Sequence, residues 1–496
     1  MLSGGKHTRK VIYIAEAAVV CLISILLLLN IFSAFSGSFS LVFLYSLYCI
    51  FSLILLYALK DRICRGSVLK RMIFVMAVAF AIRFPAVYFL NLTSKGDYAI
   101  YLSTARKIAG GTLSDSNKLY YGIFPHALNY PVFISFFYKL LGEKTWLPRI
   151  INLFFGVAEA GAGEYILEKF TGPRTGVLGG LAVALNPSII IFTLLSGGEP
   201  VYSSIILCAV LIFAAGIDNE KPYPFMAVFG ITSALGNFFR PTALILIISS
   251  VLVIFLCCDF KAVRKMLLIA VIVFSYAVTA SVLGAVTSSV SGFRNPAYGF
   301  GWNLYIGANE ESQGKWNEKD AELFDKIKNE YQDPSKVQEN FFKQGIERYK
   351  KMGLRVIPHF KRKLSIWFDE TYTAAVVTEW QTEYTRFKSA GLKQTFHIIV
   401  NSYNLFVVLG AAAAMLMLSL DRKNYGAVKI LSYYMAGIIM LYMILETATR
   451  YKGAYYSVLT LLSVYGFRRI YHFARTGTGM FYKARNLFSR PGNEKP

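Results

Sequence analysis

The stretch PSIIIFTLLSGGEPVYSSIILCAVLIFAAGI, residues 187–217, carries two apolar runs separated only by Ser196-Gly197-Gly198-Glu199-Pro200. A bilayer core needs about 20 apolar residues per crossing helix. The first run reaches back to 175 and the second extends to 216, so the pair predicts a membrane hairpin whose turn holds a lone carboxylate. Working outward, comparable runs recur near 11–33, 39–59, 70–90, 147–168, 223–239, 241–258, 266–288, 396–420, 427–446 and 453–467. The pattern predicts an all-α integral membrane protein with about twelve transmembrane helices. Only Phe239-Arg240-Pro241 interrupts the seventh and eighth runs, and no repeat of fixed period is visible.

Composition agrees. Of 496 residues, 55% are hydrophobic and 16% charged, against about a quarter charged in soluble domains. The mean hydropathy is +0.46. A net charge of +23 raises the question of nucleic acid, but no basic stripe interleaved with stacking aromatics is present. The many Phe and Tyr residues fit lipid-facing helices and interfacial belts. The cysteines (Cys21, Cys49, Cys64, Cys208, Cys257 and Cys258) lie in apolar runs or near basic turns, which implies no disulfide framework or metal motif.

The basic residues set the orientation. Lys6, Arg9 and Lys10 precede the first run, and Lys60, Arg62, Arg65, Lys70 and Arg71 fill the second turn. Lys169 and Arg174, Lys221, then Lys261, Arg264 and Lys265 mark later turns, followed by Arg422, Lys423 and Lys429. The tail adds Arg468, Arg469, Arg475, Lys483, Arg485 and Arg490. With twelve spans these fall on one face, which the positive-inside rule makes cytoplasmic. A multi-pass plasma-membrane protein with both termini in the cytoplasm is expected. Ala34-Phe35-Ser36 is loosely cleavage-like, but the first run is too long for a signal peptide and reads as a retained anchor.

Four segments follow: a transmembrane module over 1–288 that includes an outer loop at 91–146, an extracytoplasmic loop domain over 289–395, transmembrane helices over 396–470, and a basic tail over 471–496. In the first loop, Tyr98–Ala109 and Tyr130–Leu141 read as amphipathic helices lying in the interface.

Scarce polar residues fall in turns on the outer face: Asp97, Glu199, Arg240, Glu446 and Arg450. Ionised groups at membrane depth usually line a polar cavity or pair with one another. Carboxylates with arginines suit a site that activates a hydroxyl and holds an anionic leaving group. Blander readings exist for each. Asp97 and Glu199 are placed to cap helices, and Arg240 is placed to anchor at headgroups. Glu446 and Arg450 have the i,i+4 spacing of a structural ion pair, and His126 reads as a bystander. No zinc-protease, P-loop or dinucleotide motif is present.

Taken in order, these features resemble the GT-C superfamily of lipid-linked-sugar glycosyltransferases, in particular the protein O-mannosyltransferase and aminoarabinose transferase group. The resemblance rests on Arg83, on Asp97, Tyr101 and Ala105 before Gly110-Gly111, and on Asn129-Tyr130-Pro131 leading to Leu141-Gly142. It continues through Asn152, Asn186-Pro187, Glu199 and Arg240-Pro241, with a late echo in Glu446 and Arg450-Tyr451. Members often carry two acids together in the first loop, whereas here Asp97 is followed by Tyr98.

The resemblance implies transfer of a sugar from a polyprenyl-phosphate carrier to an acceptor hydroxyl on the extracytoplasmic side, the acceptor being glycan, lipid or protein. Asp97 is then the expected general base, with Glu199 supporting it. Arg240 and Arg450 are expected on the carrier phosphate, with Glu446 and Tyr101 completing the substrate contacts. The resemblance implies no certain cofactor and admits a divalent metal. Some members use a divalent metal, but a single Asp without a partner does not make a site. Membrane lipids are expected partners and nucleic acid is not. A secondary transporter or lipid-linked-glycan flippase would use the same charges as a path, yet no paired halves with matching broken helices are visible. A glycan ligase or polymerase shares the outward site.

Overall fold

Each apolar run from 70–90 onward becomes a helix, in a computed structural model that describes residues 66–90, 92–113, 115–293, 299–381, 392–420 and 426–476. The expected spans at 11–33 and 39–59, the N-terminal basic cluster and the tail from 477 lie outside the described residues.

The chain begins with α1 (Val68–Phe89), followed by three short helices: α2 (Asp97–Ala109), α3 (Asp115–Ile123) and α4 (Pro125–Leu141). The bundle continues with α5 (Leu147–Thr171), α6 (Pro173–Leu185), α7 (Pro187–Leu194), α8 (Glu199–Ile217), α9 (Pro222–Phe239), α10 (Leu244–Cys257) and α11 (Ala262–Ser291). A second excursion holds α12 (Gly301–Gly307), α13 (Glu318–Tyr331), α14 (Pro334–Met352), α15 (Val356–Phe368) and α16 (Thr371–Glu379). The bundle closes with α17 (Leu392–Leu420), α18 (Gly426–Ile444) and α19 (Tyr456–Thr476).

Five of these helices are long and apolar enough to cross a bilayer, namely α1, α5, α8, α11 and α17 from Phe396, or six if the bent pair α6–α7 counts as one span. Twelve crossings are therefore not reached among the described residues. The apolar stretch that includes α10 and the helix α18 are too short by this measure. α9 starts at Pro222-Tyr223-Pro224, and α19 ends among Arg468, Arg469 and His472.

The 49° bend between α6 and α7 has a local cause. Proline disfavours helical geometry in the residue before it, and Asn186 is accordingly extended. Its side chain then caps the new helix, accepting from the amides of Ser188 and Ile189 at 3.0 and 3.3 Å. The carbonyls freed upstream go to the buried Arg83, which donates to Ala184 O at 2.8 Å and Val183 O at 3.1 Å.

Short turns make successive helices run in opposite senses, so the C-terminal ends of α1, α7, α9, α11 and α18 share one end of the bundle with the N-terminal ends of α5, α8, α10, α17 and α19. Arg71, Lys169, Arg174, Lys221, Lys261, Lys265, Lys429 and Arg468 belong to the opposite end. Both excursions rise from the first end and interlock. Phe124, which follows α3, packs with Trp302, Phe324 and Phe341 in one apolar cluster. Gln338 of α14 donates to Ile123 O at 3.0 Å. The interfacial helix expected from Tyr130 starts at Pro125, and α3 adds a helix where none was expected.

Candidate active site

The turn between α7 and α8 is built from below. Asn152 of α5 donates to Leu195 O at 2.7 Å and to Gly197 O at 3.0 Å, which fixes the loop leading to Glu199. A Cβ at Gly197 would collide with Glu199 Oε2 and the Tyr98 ring, so only glycine allows this approach. Glu199 is the first residue of α8 and is buried. It does not cap its own helix. Its Oε1 accepts from Arg240 Nη2 at 2.6 Å and from Tyr98 Oη at 3.2 Å. Its Oε2 is buried without a hydrogen-bond partner.

Arg240 stands between α9 and the 3-10 turn Pro241–Ala243, in extended backbone. Asn129 of α4 donates to Phe238 O at 2.5 Å and accepts from Thr287 at 2.7 Å, which pins the end of α9. His126, read from sequence as a bystander, lies close to Arg240. Burial and then the Arg240 charge hold its imidazole down at about 4.

Asp97 also departs from the capping reading. The cap of α2 is Gly96, with a φ of 54° and no side-chain bond, and Asp97 is the first helical residue. Its Oδ2 accepts from Arg450 Nη2 at 2.7 Å. This carboxylate is 47% exposed, whereas that of Glu199 is 6% exposed.

The expected Glu446–Arg450 pair is replaced by other bonds. α18 stops at Ile444, and Arg450 sits on a separate 3-10 turn, Thr449–Tyr455, so the i,i+4 geometry of a continuous helix does not apply. Glu446 accepts from Tyr451 Oη at 2.8 Å and from Asn303 Nδ2 at 3.2 Å. Burial raises its carboxyl, and the Asp97 charge adds to that rise.

Tyr101 follows Asp97 by one turn of α2 and meets the ring of Tyr98, which donates to Glu199. Burial raises its phenol, Asp97 and Glu199 raise it further, and Arg240 and Arg450 oppose them, so all four charges act on one hydroxyl. Its ring meets Tyr98 and Tyr130 edge-on at 6.2 and 6.1 Å. Behind Arg240 runs a chain of hydroxyls that the sequence reading did not single out. Tyr434 to Tyr202 is 2.6 Å, Tyr202 to Thr242 is 3.0 Å, and Thr242 to Tyr455 is 2.8 Å.

Two buried lysines escaped the sequence reading. Lys452 pairs with Glu370 at 3.0 Å, and both side chains are almost fully enclosed. Glu370 also accepts from Ser188 and Thr373 at 3.1 and 2.8 Å. This contact joins the α7 cap, the end of the second excursion and the turn carrying Arg450. Lys363 of α15 donates to Leu445 O at 2.6 Å and Gly307 O at 3.0 Å, clamping the turn that holds Glu446.

No group of three or more His, Cys, Asp or Glu among the described residues is placed to hold a metal. Asp97 and Glu199 each face a guanidinium instead, a donor set that does not fit a divalent ion.

No family model and no curated protein matches the sequence. In fold, the chain is similar to the Archaeoglobus fulgidus oligosaccharyltransferase crystallised with Zn and sulfate, at 11% identity and a TM-score of 0.43, covering 84% of this chain and 51% of that one. The archaeal oligosaccharyltransferase AglB from Archaeoglobus fulgidus with an inhibitory peptide and a dolichol-phosphate gives 11% identity and 0.41, covering 86% and 52%. ArnT from Cupriavidus metallidurans bound to undecaprenyl phosphate gives 13% and 0.38, covering 81% and 79%. The chain spans about half the length of the oligosaccharyltransferase chains. TM-scores below 0.5 carry that likeness no further.

Proposed function

We propose that this chain is a glycosyltransferase that moves a sugar from a polyprenyl-phosphate carrier to an acceptor hydroxyl at the extracytoplasmic face of the plasma membrane. The observation that carries the reading is the pairing of Asp97 with Arg450 and Glu199 with Arg240 around Tyr101, at one end of an apolar bundle. Asp97, the more exposed carboxylate, takes the proton from the acceptor hydroxyl. The acceptor oxygen bonds to the anomeric carbon as the bond from that carbon to the phosphate oxygen breaks. The leaving phosphate monoester is held by Arg450 and Arg240, since guanidinium binds phosphate bidentately and a preorganised cation stabilises the charge developing on it. Binding of the carrier phosphate to Arg450 frees Asp97 to act as base. Glu199 holds Arg240 in place, Glu446 positions Tyr451 beside Arg450, and the 289–395 segment caps the chamber toward the acceptor.

Transport receives less support. The broken pair α6–α7 has the form of a transporter's interrupted helix, but its freed carbonyls are taken by Arg83. The test is to reconstitute the chain in liposomes with labelled polyprenyl-phosphate sugars and a membrane extract as acceptor. Label on the acceptor with release of polyprenyl phosphate is expected. Movement of the intact lipid-linked sugar between leaflets, without release, would overturn the reading.

A further inference from the structure

α15 packs against α18 and the 3-10 turn Thr449–Tyr455. Its inner end is Trp367, fully buried and stacked on Tyr442 at 5.8 Å. One turn earlier, Lys363 grips Leu445 O, while Tyr349 of the adjoining α14 donates to Ile444 O at 2.5 Å. The helix therefore crosses the last residues of α18 at that helix's end. On α18, Met440 and Ile444 are exposed apolar side chains on an apolar helix, as expected where a bundle meets lipid. These contacts set the inner half of α15 at the level of the end of α18.

Ahead of that crossing in the chain, α14 and α15 meet at an elbow formed by the 3-10 turn Gly353–Arg355. Leu354 is 86% exposed and Ile357 68%, and Lys350, Lys351 and Lys361 stand exposed around them. Aliphatic side chains at the tip with lysines beside them form the pattern of an interfacial anchor, which buries the apolar part below the headgroups and leaves the ammonium groups among them.

We propose that this elbow is a membrane anchor. Leu354 and Ile357 insert into the leaflet on the site side of the bundle, and Lys350, Lys351 and Lys361 contact anionic lipid headgroups. A water-facing elbow would leave both aliphatic side chains unsheltered beside a surface that can cover them. Because the same helix ends against Tyr442, docking also sets the level of the chamber wall.

The experiment places a nitroxide at Leu354→Cys or Ile357→Cys in the full chain in nanodiscs, with a label at Lys343→Cys as the water-facing reference and the labelled parent chain as baseline. Labels at 354 and 357 are expected to collide with oxygen more than with a water-soluble nickel chelate, the reverse of the reference. Adding phosphatidylglycerol to phosphatidylcholine discs is expected to deepen both, and K350Q/K351Q/K361Q is expected to remove that deepening. Labels at 354 and 357 that behave like the reference would overturn the proposal. So would labels shielded from both reagents, which indicates a protein contact. The readout is independent of sugar transfer, so its outcome is separable from that of the proposed activity.

Discussion

Arg450 donates to Asp97 at 2.7 Å across 353 positions of sequence, tying the first residue of α2 to the last 3-10 turn. The contact holds the more exposed of the site's two ion-paired carboxylates. Replacing Asp97 by Asn keeps the shape and removes the proposed base. Loss of a general base typically lowers turnover about 10²–10⁴-fold, so D97N is expected to lose transfer on that scale. The assay is sugar transfer in membranes at matched protein levels, and near-normal turnover removes Asp97 from the role.

Glu199 and Arg240 form the second pair, more enclosed on the carboxylate side. Removing one partner of a buried pair typically costs about 3–5 kcal/mol, because the other charge is stranded. Arg240 retains some solvent, which places E199Q toward the lower end. The double variant E199Q/R240M is expected to cost less than the sum of the single changes. Thermal unfolding of the four proteins in one detergent tests this, and strictly additive losses would show that the two side chains are not coupled.

The Lys452–Glu370 pair is deeper and has no exposed partner. K452M leaves the Glu370 carboxylate with only Ser188 and Thr373, and a loss of about 3–5 kcal/mol is expected. K452M/E370L, which removes both charges, is expected to recover most of it. Turnover then separates position from stability. Lys452 lies two residues from Arg450, so K452M is expected to lower transfer even at temperatures where it stays folded. Unchanged turnover there would confine the pair to a structural role.

Much of this architecture is legible in the sequence, and the limits have physical causes. Apolar runs give the helices because a bilayer imposes a length on them, and the break at Asn186-Pro187 follows from proline chemistry. Asp97, Glu199, Arg240 and Arg450 stand out because charges are scarce between apolar segments. Their partners do not. The i,i+4 rule paired Glu446 with Arg450, and it failed because the helix ends at Ile444, which spacing alone does not reveal. Tyr202, Tyr434 and Tyr455 are hidden among the many Phe and Tyr residues that fit lipid-facing helices and interfacial belts, because composition cannot tell a lipid-facing ring from one turned inward. Lys363 sits in the run Lys361-Arg362-Lys363, where two neighbours are exposed and only packing against Gly307 and Leu445 buries the third.

That buried lysine gives a pH prediction. Burial pushes the Lys363 ammonium down from its ordinary 10.5 to about 7, with Glu446 opposing the shift. The other titratable groups around it are Tyr349, whose phenol burial raises, and His359, whose imidazole burial lowers. Between pH 7 and 10.5 the unfolded chain keeps the Lys363 proton and the folded chain releases it. Stability rises with pH wherever the unfolded state binds more protons. The contribution of Lys363 is therefore fully present above its ordinary value and is lost as pH falls to about 7, with a limiting slope of about 1.4 kcal/mol per pH unit. K363M has no proton to lose, so its stability is expected to rise less steeply than that of the parent from pH 7 to 9. Denaturant unfolding at stepped pH in one detergent measures both slopes. Parallel curves would mean that Lys363 does not titrate in this range, and that its bonds to Gly307 and Leu445 hold the proton against burial.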